Sequence, residues 1–329
     1  MAGRRHASID IGTNTVRLLI ADLESSGTLM PVTVERVVTR LGGGYSEEEG
    51  IAPGAVERTV KALQGFSDSI RRYEVDGTCA VATSVVRRAV NGKSFTESVR
   101  KQAGIDVAVI GGDEEARLST LGVLSILDDR KGRSFIIDIG GGSTEFIAVD
   151  GEAVAGTWSM EMGVVHLTER FLLHDPPDEG ELRALEDSVA HTVNALREAM
   201  EEGGIDTFLY SDAPKGGGTR FVGTAGTVTT IAAIDQALTV YTPESVNNYR
   251  IERGKVEGHY RRLSSMTLDE RRAIPALEDG REDLIIAGLA ILLETMKTFE
   301  FDEIIVSDSG LLEGILLDQS RVRQIHGGQ

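Results

Sequence analysis

The sequence predicts an α/β protein built from two duplicated domains, and three observations carry that prediction. The stretch DIGTNTVRLLIAD, Asp10 to Asp22, returns as DIGGGSTEFIAVD, Asp138 to Asp150, at a constant offset. Apolar runs that read as strands alternate with runs of helical periodicity along the whole chain. Glycine is abundant, 38 of 329 residues, and much of it stands in turns between apolar runs, where backbone-built binding loops form.

Taken in order, residues 7–22 read as two strands around the Gly12-Thr13-Asn14 turn. A third strand follows in MPVTVERVVTRL. From Pro53 to Tyr73, apolar residues recur at Val56, Val60, Leu63, Phe66 and Ile70, which is helical spacing, and proline suits an early helical position. TCAVATSV reads as a buried strand running into a loop, and SFTESVRKQAG as a helix stopped at Gly104. DVAVIGGDEEARLSTLGVLSIL is a strand, a Gly-Gly turn and a helix with an acidic first turn. RSFIIDIGGG restarts the scheme, with strands around 145–149 and 153–161 and a long helix from Pro177 to Met200. RFVGTAGTVTTIAAI is a strand, glycine loop and helix; a helical region covers 252–273. REDLIIAGLAILLETMKTF is a strong helix, and EIIVSDSGLLEGILLD a strand, turn and helix. Internal duplication is the economical account. The charged junction LDDRKGR sets the first domain at 1–127 and the second at 128–309, with the last helix, in 310–329, returning to the first.

Composition excludes several classes. The net charge of −18, from 34 basic and 52 acidic residues, argues against a nucleic-acid or anionic-membrane partner, which needs a positive field. An anionic substrate remains compatible if basic groups and a metal are concentrated locally. Cys79 is the only cysteine, so no intrachain disulfide forms. MAGRRHASIDIG lacks the apolar segment of a secretion signal, and no apolar run reaches the ~20 residues of a spanning helix. These features predict a cytoplasmic protein; the long helices and acidic surface are compatible with a homodimer.

The chemistry points to phosphate. A strand ending in glycine and hydroxyl residues presents peptide N–H groups to an anion. DIGTNT offers Gly12, Thr13, Asn14 and Thr15; DIGGGST offers Gly140, Gly141, Gly142, Ser143 and Thr144; VGTAGT offers Gly223, Thr224, Gly226 and Thr227. Asp10 and Asp138 can each hold a cation or a water beside such a phosphate. NGKS at 91–94 is not a P-loop, since Arg87 stands where the required glycine should be.

These three loops resemble the phosphate 1, phosphate 2 and adenosine motifs of the actin, sugar kinase and heat-shock ATPase superfamily. That resemblance implies two actin-like (ribonuclease H-like) ATPase domains with a cleft between them. Together with ATSVVRRAVN (82–91), IGGDEEARL (110–118), IDIGGGSTEF (137–146), MGVVHLTERF (162–171), GTAGT (223–227) and VSDSGLLEGILLD (306–318), they resemble the Ppx/GppA phosphatase family over nearly the whole chain. Its members are exopolyphosphatases and guanosine pentaphosphate (pppGpp) phosphohydrolases.

The resemblance implies that Glu115 is the base that activates water, and that Asp138 and Glu145 are catalytic acids that bind Mg2+ or another divalent cation. It places Asn14, Arg17 and Arg87 at anion-contacting positions and residues 140–144 in the phosphate loop. It implies hydrolysis of the terminal phosphoanhydride of inorganic polyphosphate. The alternatives are pppGpp hydrolysis, a sugar kinase or ATPase of the same fold, and a nucleotide sensor without turnover. Blander roles stay open: Glu114 and Glu115 suit a helix N-terminus, Arg88 a solvated face, and Thr224 and Thr227 helix caps. Arg88 stands where many relatives have Asp, and His166 and Leu312 where they often have Arg. The stretch after Asp318, QSRVRQIHGGQ, contains no HD-type helical domain, so short polyphosphates or a nucleotide are expected over long polymer.

Overall fold

Each echoing stretch seeds its own sheet in the computed structural model, which describes residues 4–24, 28–128, 132–205, 218–278 and 280–318. The middle of the 127–133 junction and everything after Asp318 lie outside the described residues. In chain order, β1 (Arg4–Ile11), β2 (Thr15–Leu23), β3 (Leu29–Val38), α1 (Pro53–Arg72), β4 (Gly77–Ala82), α2 (Ser84–Arg88), α3 (Gly92–Ala103), β5 (Val107–Val109) and α4 (Gly112–Ile126) come first. Then follow β6 (Arg133–Ile139), β7 (Thr144–Asp150), β8 (Ala153–Met160), α5 (Val164–Phe171), α6 (Glu179–Glu202), β9 (Arg220–Thr224) and α7 (Ala225–Asp235). Last come α8 (Pro243–Val246), β10 (Arg250–Glu252), α9 (Arg253–Ser264), α10 (Leu268–Arg272), α11 (Ile285–Thr298), β11 (Glu303–Val306) and α12 (Leu311–Leu317). The chain divides into two units, Met1–Gly122 with Gly310–Gln329, and Val123–Ser309.

In the first unit the sheet order is β3-β2-β1-β4-β5, antiparallel through the β1–β2–β3 meander and parallel from β1 to β4 to β5. Strand alternation decides what each face meets. Ala7, Ile9 and Ile11 of β1 join Val16, Leu18 and Ile20 of β2 in a core closed by Leu63 and Phe66 of α1 and Phe95 and Val99 of α3. On the opposite face, Leu19 and Ala21 meet Leu312 and Leu316 of α12, while Val81 meets Leu118 of α4 with Leu311 and Ile315. Helix α12 thus completes the second helical layer of the first unit.

In the second unit the order is β10-β11-β9-β6-β7-β8. Strands β6, β7, β8 and β9 repeat the pairing of β1, β2, β3 and β4, and β11 lies parallel to β9 as β5 does to β4. β10 is an added antiparallel edge. Phe135 of β6 sits among the rings of Phe146, Phe221, Phe299 and Phe301, at centroid distances of 5.9, 6.2, 5.0 and 6.1 Å. The centre of α11 is buried almost all round, which explains its uniformly apolar sequence. No helix among the described residues is long and apolar enough to cross a membrane.

The periodic segments form the helices expected of them; the exceptions are short. TSV is not a loop: Arg87 N–H bonds Thr83 O (3.0 Å) and Ala89 N–H bonds Val85 O (3.0 Å), because burying Val85 and Val86 winds the chain into α2. The helical region 252–273 is two helices, broken where Thr267 caps α10 in a capping box with Glu270. Likewise α6 starts later than Pro177, at the Asp178–Glu181 capping box. Helices α5 and α8 and strand β10 carry no periodicity long enough to read.

Helices α4 and α12 touch backbone to backbone. A methyl group on Gly314 would lie 1.8 Å from Leu118 O, so Gly314→Ala is expected to lower stability by about 2–3 kcal/mol, read as a reduced urea midpoint at unchanged slope.

Candidate active site

The two hairpins that open the units close in the same way. Gly12 N–H donates to Thr15 O (3.1 Å), and Gly140 N–H donates to Ser143 O (3.0 Å). Closure at that point fixes the register, pairing Asp10 with Arg17 and Asp138 with Glu145 directly across the strands. Directly opposed residues project from one face. In the first hairpin, Arg17 donates Nε and Nη2 to Asp10 Oδ2 (3.0 and 2.7 Å). Asp10 is 5% exposed, and its other oxygen, Oδ1, is buried with no hydrogen-bond partner. Asp10 therefore spends its charge inside the hairpin and fixes where the guanidinium lies. Thr13 and Asn14 are braced from behind, since Gly42 N–H bonds Thr13 O (2.8 Å) and Thr39 and Arg40 N–H bond Asn14 O (3.0 and 2.8 Å).

In the second hairpin the same two places hold Asp138 and Glu145. Glu145 is 1% exposed, and its Oε1 accepts a bond from Ser159 Oγ (2.8 Å). Two carboxylates face to face across a ladder repel, and the donor set is two hard oxygen ligands, the kind that Mg2+ takes. The residues present fit a divalent cation.

The glycine loop is oriented by the helix that follows. Val164 and Val165, the first residues of α5, donate their N–H groups to Gly140 O (3.1 Å) and Gly141 O (2.9 Å). In a trans peptide the C=O and the next N–H point in opposite directions. With two successive carbonyls turned toward α5, the N–H groups of Gly141 and Gly142 must point away from it, side by side. Consecutive N–H groups aimed one way form an anion-binding concavity. Gly163 permits the approach, because a methyl there would lie 2.3 Å from Gly141 O. Thr144 anchors the loop's exit by donating Oγ1 to Met162 O.

Glu115 and Arg87, from ATSVVR and DEEAR, are brought together within the first unit. Arg87 Nη1 donates to Ile110 O (3.0 Å) and to Glu115 Oε2 (3.2 Å). Glu115 stands in the first turn of α4 and is 9% exposed. Arg88 turns elsewhere, over the Tyr45 ring and 3.7 Å from Glu47 Oε1. Leu312, at a departure from the family pattern, is a core residue against Leu19 and Ala21. His166 lies on α5, half buried.

The third loop is built differently. Thr224 gives its hydroxyl to Ser309 O (3.0 Å), and Thr227 packs on Gly288 of α11. Ala225 adopts φ 67°, and a methyl on Gly226 would collide with Arg281 Nη1 at 1.3 Å. Arg281 therefore lies over this loop, held 2.8 Å from Glu278 Oε2. Sequence reading missed Arg281, because nothing in LEDGRED signals where a residue 55 positions beyond the loop will fold. Among the described residues, the one trio of close potential metal donors is His174, Asp178 and Glu181. It clips the loop before α6: Glu181 accepts from Leu173 N (2.9 Å), Asp178 N (3.1 Å) and His174 Nδ1 (2.8 Å).

One unit holds a backbone anion nest beside an acidic pair and the other a buried glutamate held by an arginine, and the family match makes the protein a phosphoanhydride hydrolase. Residues 19–322 match the Ppx/GppA phosphatase family, and the chain belongs to that family. It is 33% identical to "Exopolyphosphatase 2" of Mycobacterium tuberculosis, covering 96% of this chain and 99% of that one. The crystal structure of the Aquifex aeolicus Ppx/GppA family member is similar with a TM-score of 0.76 at 32% identity, over 97% of this chain and 98% of that one. An exopolyphosphatase from Cytophaga hutchinsonii matches with a TM-score of 0.85 at 27% identity, over 99% of both chains.

Removing one partner of a buried ion pair strands the other charge. Arg17→Met is expected to destabilise the protein by about 2 kcal/mol, less than the ~3–5 of a fully buried pair because Arg17 is partly exposed. Adding Asp10→Asn should recover part of that loss, as read in a double-mutant cycle of urea denaturation.

Proposed function

We propose that the protein is an exopolyphosphatase that removes the terminal phosphate of inorganic polyphosphate as orthophosphate. The observation that carries this reading is the pair of N–H groups of Gly141 and Gly142, aimed together by the bonds from α5 to the preceding carbonyls. Such a nest binds a phosphate without regard to what the rest of the substrate is. Gly140, Ser143 and Thr144 complete the cradle; Asn14, Arg17 and Arg87 neutralise phosphoryl oxygens; and Gly12, Thr13, Thr15, Gly223, Thr224, Gly226 and Thr227 shape the loops around the substrate.

Glu115 orients the attacking water. The water oxygen bonds to the terminal phosphorus, the bridging P–O bond breaks, and Glu115 takes the water's proton while the shortened polyphosphate leaves with the bridging oxygen. A carboxylate suffices because the loose transition state demands little base strength. Arg87 holds Glu115 in place. Asp138 and Glu145 are the residues that would hold Mg2+, and when bound the ion supplies charge neutralisation on the phosphoryl oxygens.

The net charge of −18 supports short chains over long polyanions and no nucleic-acid or membrane partner, and the single cysteine, Cys79, supports a cytoplasmic location. The pppGpp reading needs a base-stacking surface. Trp158, the single tryptophan, presses the outer edge of its indole on Gly156, where a methyl would sit 2.5 Å from Cη2, and packs on the core of its unit. This favours polyphosphate.

Phosphate release from polyphosphate of defined lengths, pppGpp, ATP and pyrophosphate, with and without Mg2+, tests the proposal. Short polyphosphate should give the highest kcat/KM, and EDTA should abolish turnover. Glu115→Gln should lower kcat by roughly 10²–10⁴-fold; full activity in that variant would sink the mechanism.

A further inference from the structure

Helix α4 carries Glu115 in its first turn, and the far end of the chain holds that turn. Contacts between α4 and α12 run antiparallel at every fourth residue. A methyl on Gly122 would lie 1.9 Å from Gly310 O, and one on Gly314 would lie 1.8 Å from Leu118 O. One further step along each helix brings Glu114 and Asp318 to the same seam, and Arg117 joins them. Arg117 donates Nε and Nη2 to the two oxygens of Glu114 (2.8 and 3.1 Å), a fork on a carboxylate, and Nη2 also reaches Asp318 Oδ2 (2.6 Å).

Asp318 is 8% exposed, and its own N–H continues α12 by bonding Gly314 O (3.0 Å). The carboxylate is therefore fixed by the helix it ends. Its position is set by the glycine contacts, since Gly310, Gly314 and Asp318 share one face of α12. On α4 the first turn bears three consecutive acids, Asp113, Glu114 and Glu115. They repel one another, and the first turn is also where a helix frays. Neighbouring residues on a helix point about 100° apart, so pinning Glu114 to the α12 seam sets the direction in which Glu115 points. Arg117, shared between two carboxylates, has its pKa raised, chiefly by the bond to Glu114.

We propose that Asp318 is a positioning residue for Glu115: through Arg117 and Glu114 it clamps the first turn of α4 and sets the aim of the water-orienting carboxylate. The proposal rests on the assignment of Glu115 given above. The clamp works through Glu115, so it acts on the rate of the chemical step and leaves phosphate binding alone.

Asp318→Asn in the full chain tests it, with short polyphosphate as the probe. Misaiming a reacting group by a fraction of an ångström to an ångström costs up to ~100-fold, so kcat should fall roughly 10–100-fold with KM within about twofold. Asp318→Glu, which keeps the charge, should restore most of kcat. Hydrogen–deuterium exchange at the amides of residues 115–117 should quicken in Asp318→Asn and return toward wild type in Asp318→Glu. Wild-type kcat in Asp318→Asn, or unchanged exchange in that turn, overturns the clamp. So does a kcat loss that Asp318→Glu fails to repair while exchange rises across all of α12, which marks general loosening. Glu115→Gln run in parallel separates the two readings. If it stays active, the role of Glu115 falls; if it is dead while Asp318→Asn is normal, only the clamp falls.

Discussion

One constraint governs the rest: a hairpin closed by a bond between positions three and six of D-I-G-x-x-x places the aspartate opposite the residue seven places on. The chain uses it twice, and the pairings Asp10–Arg17 and Asp138–Glu145 follow from backbone geometry alone. The backbone of Gly12 and Gly140 approaches the returning strand closely; a methyl at either would lie 3.0 Å from Thr15 O or 2.8 Å from Ser143 O. Because the register is forced, changing one side chain changes the electrostatics without moving the fold. Arginine in the first copy gives an internal ion pair. Glutamate in the second sets two acids face to face.

Much of this was legible in the sequence because it is local. The echo between Asp10–Asp22 and Asp138–Asp150 is a repeat of strand, turn and strand, and each copy folds within its own stretch. Helix α1 was readable from the spacing of Val56, Val60, Leu63 and Phe66, and the stop at Gly104 from a glycine that now sits at φ 69°. The acidic pair needed only the count of residues around the turn. The Arg87–Glu115 contact was not legible, because it depends on the chain turning into α2 where a loop was read, which aims Arg87 at the start of α4. Arg281 over Gly226, and Asp318 on Arg117, are likewise products of packing between elements distant in sequence. Leu312 stands where similar sequences often have Arg; its place is in the layer between α12 and β2.

Glycines in this protein divide by the reason for them. Gly104 is required by a left-handed helix end. Gly122, Gly163 and Gly314 are required by what presses on them. The second kind carries function, because it lets one backbone dictate the direction of another. Gly163 admits α5 to the carbonyls of Gly140 and Gly141, and only then are the following N–H groups turned outward together. A loop of three glycines would otherwise be the most conformationally free part of the chain. Its order comes from α5, not from its own sequence.

The acidic surface bears on how an anion is recognised here. At ordinary ionic strength, charges further away than the ~10 Å screening length matter little, so a net charge of −18 says less than the pairing around each loop. Asp10 is answered by Arg17, Glu115 by Arg87, and Glu114 and Asp318 by Arg117. Each of these arginines holds its carboxylate in place and offsets its charge. At Asp138 and Glu145 the same register puts acid opposite acid. Two facing carboxylates are the hard oxygen donors that a divalent cation takes, so one hairpin geometry yields an internal ion pair in the first copy and a set of oxygen ligands in the second.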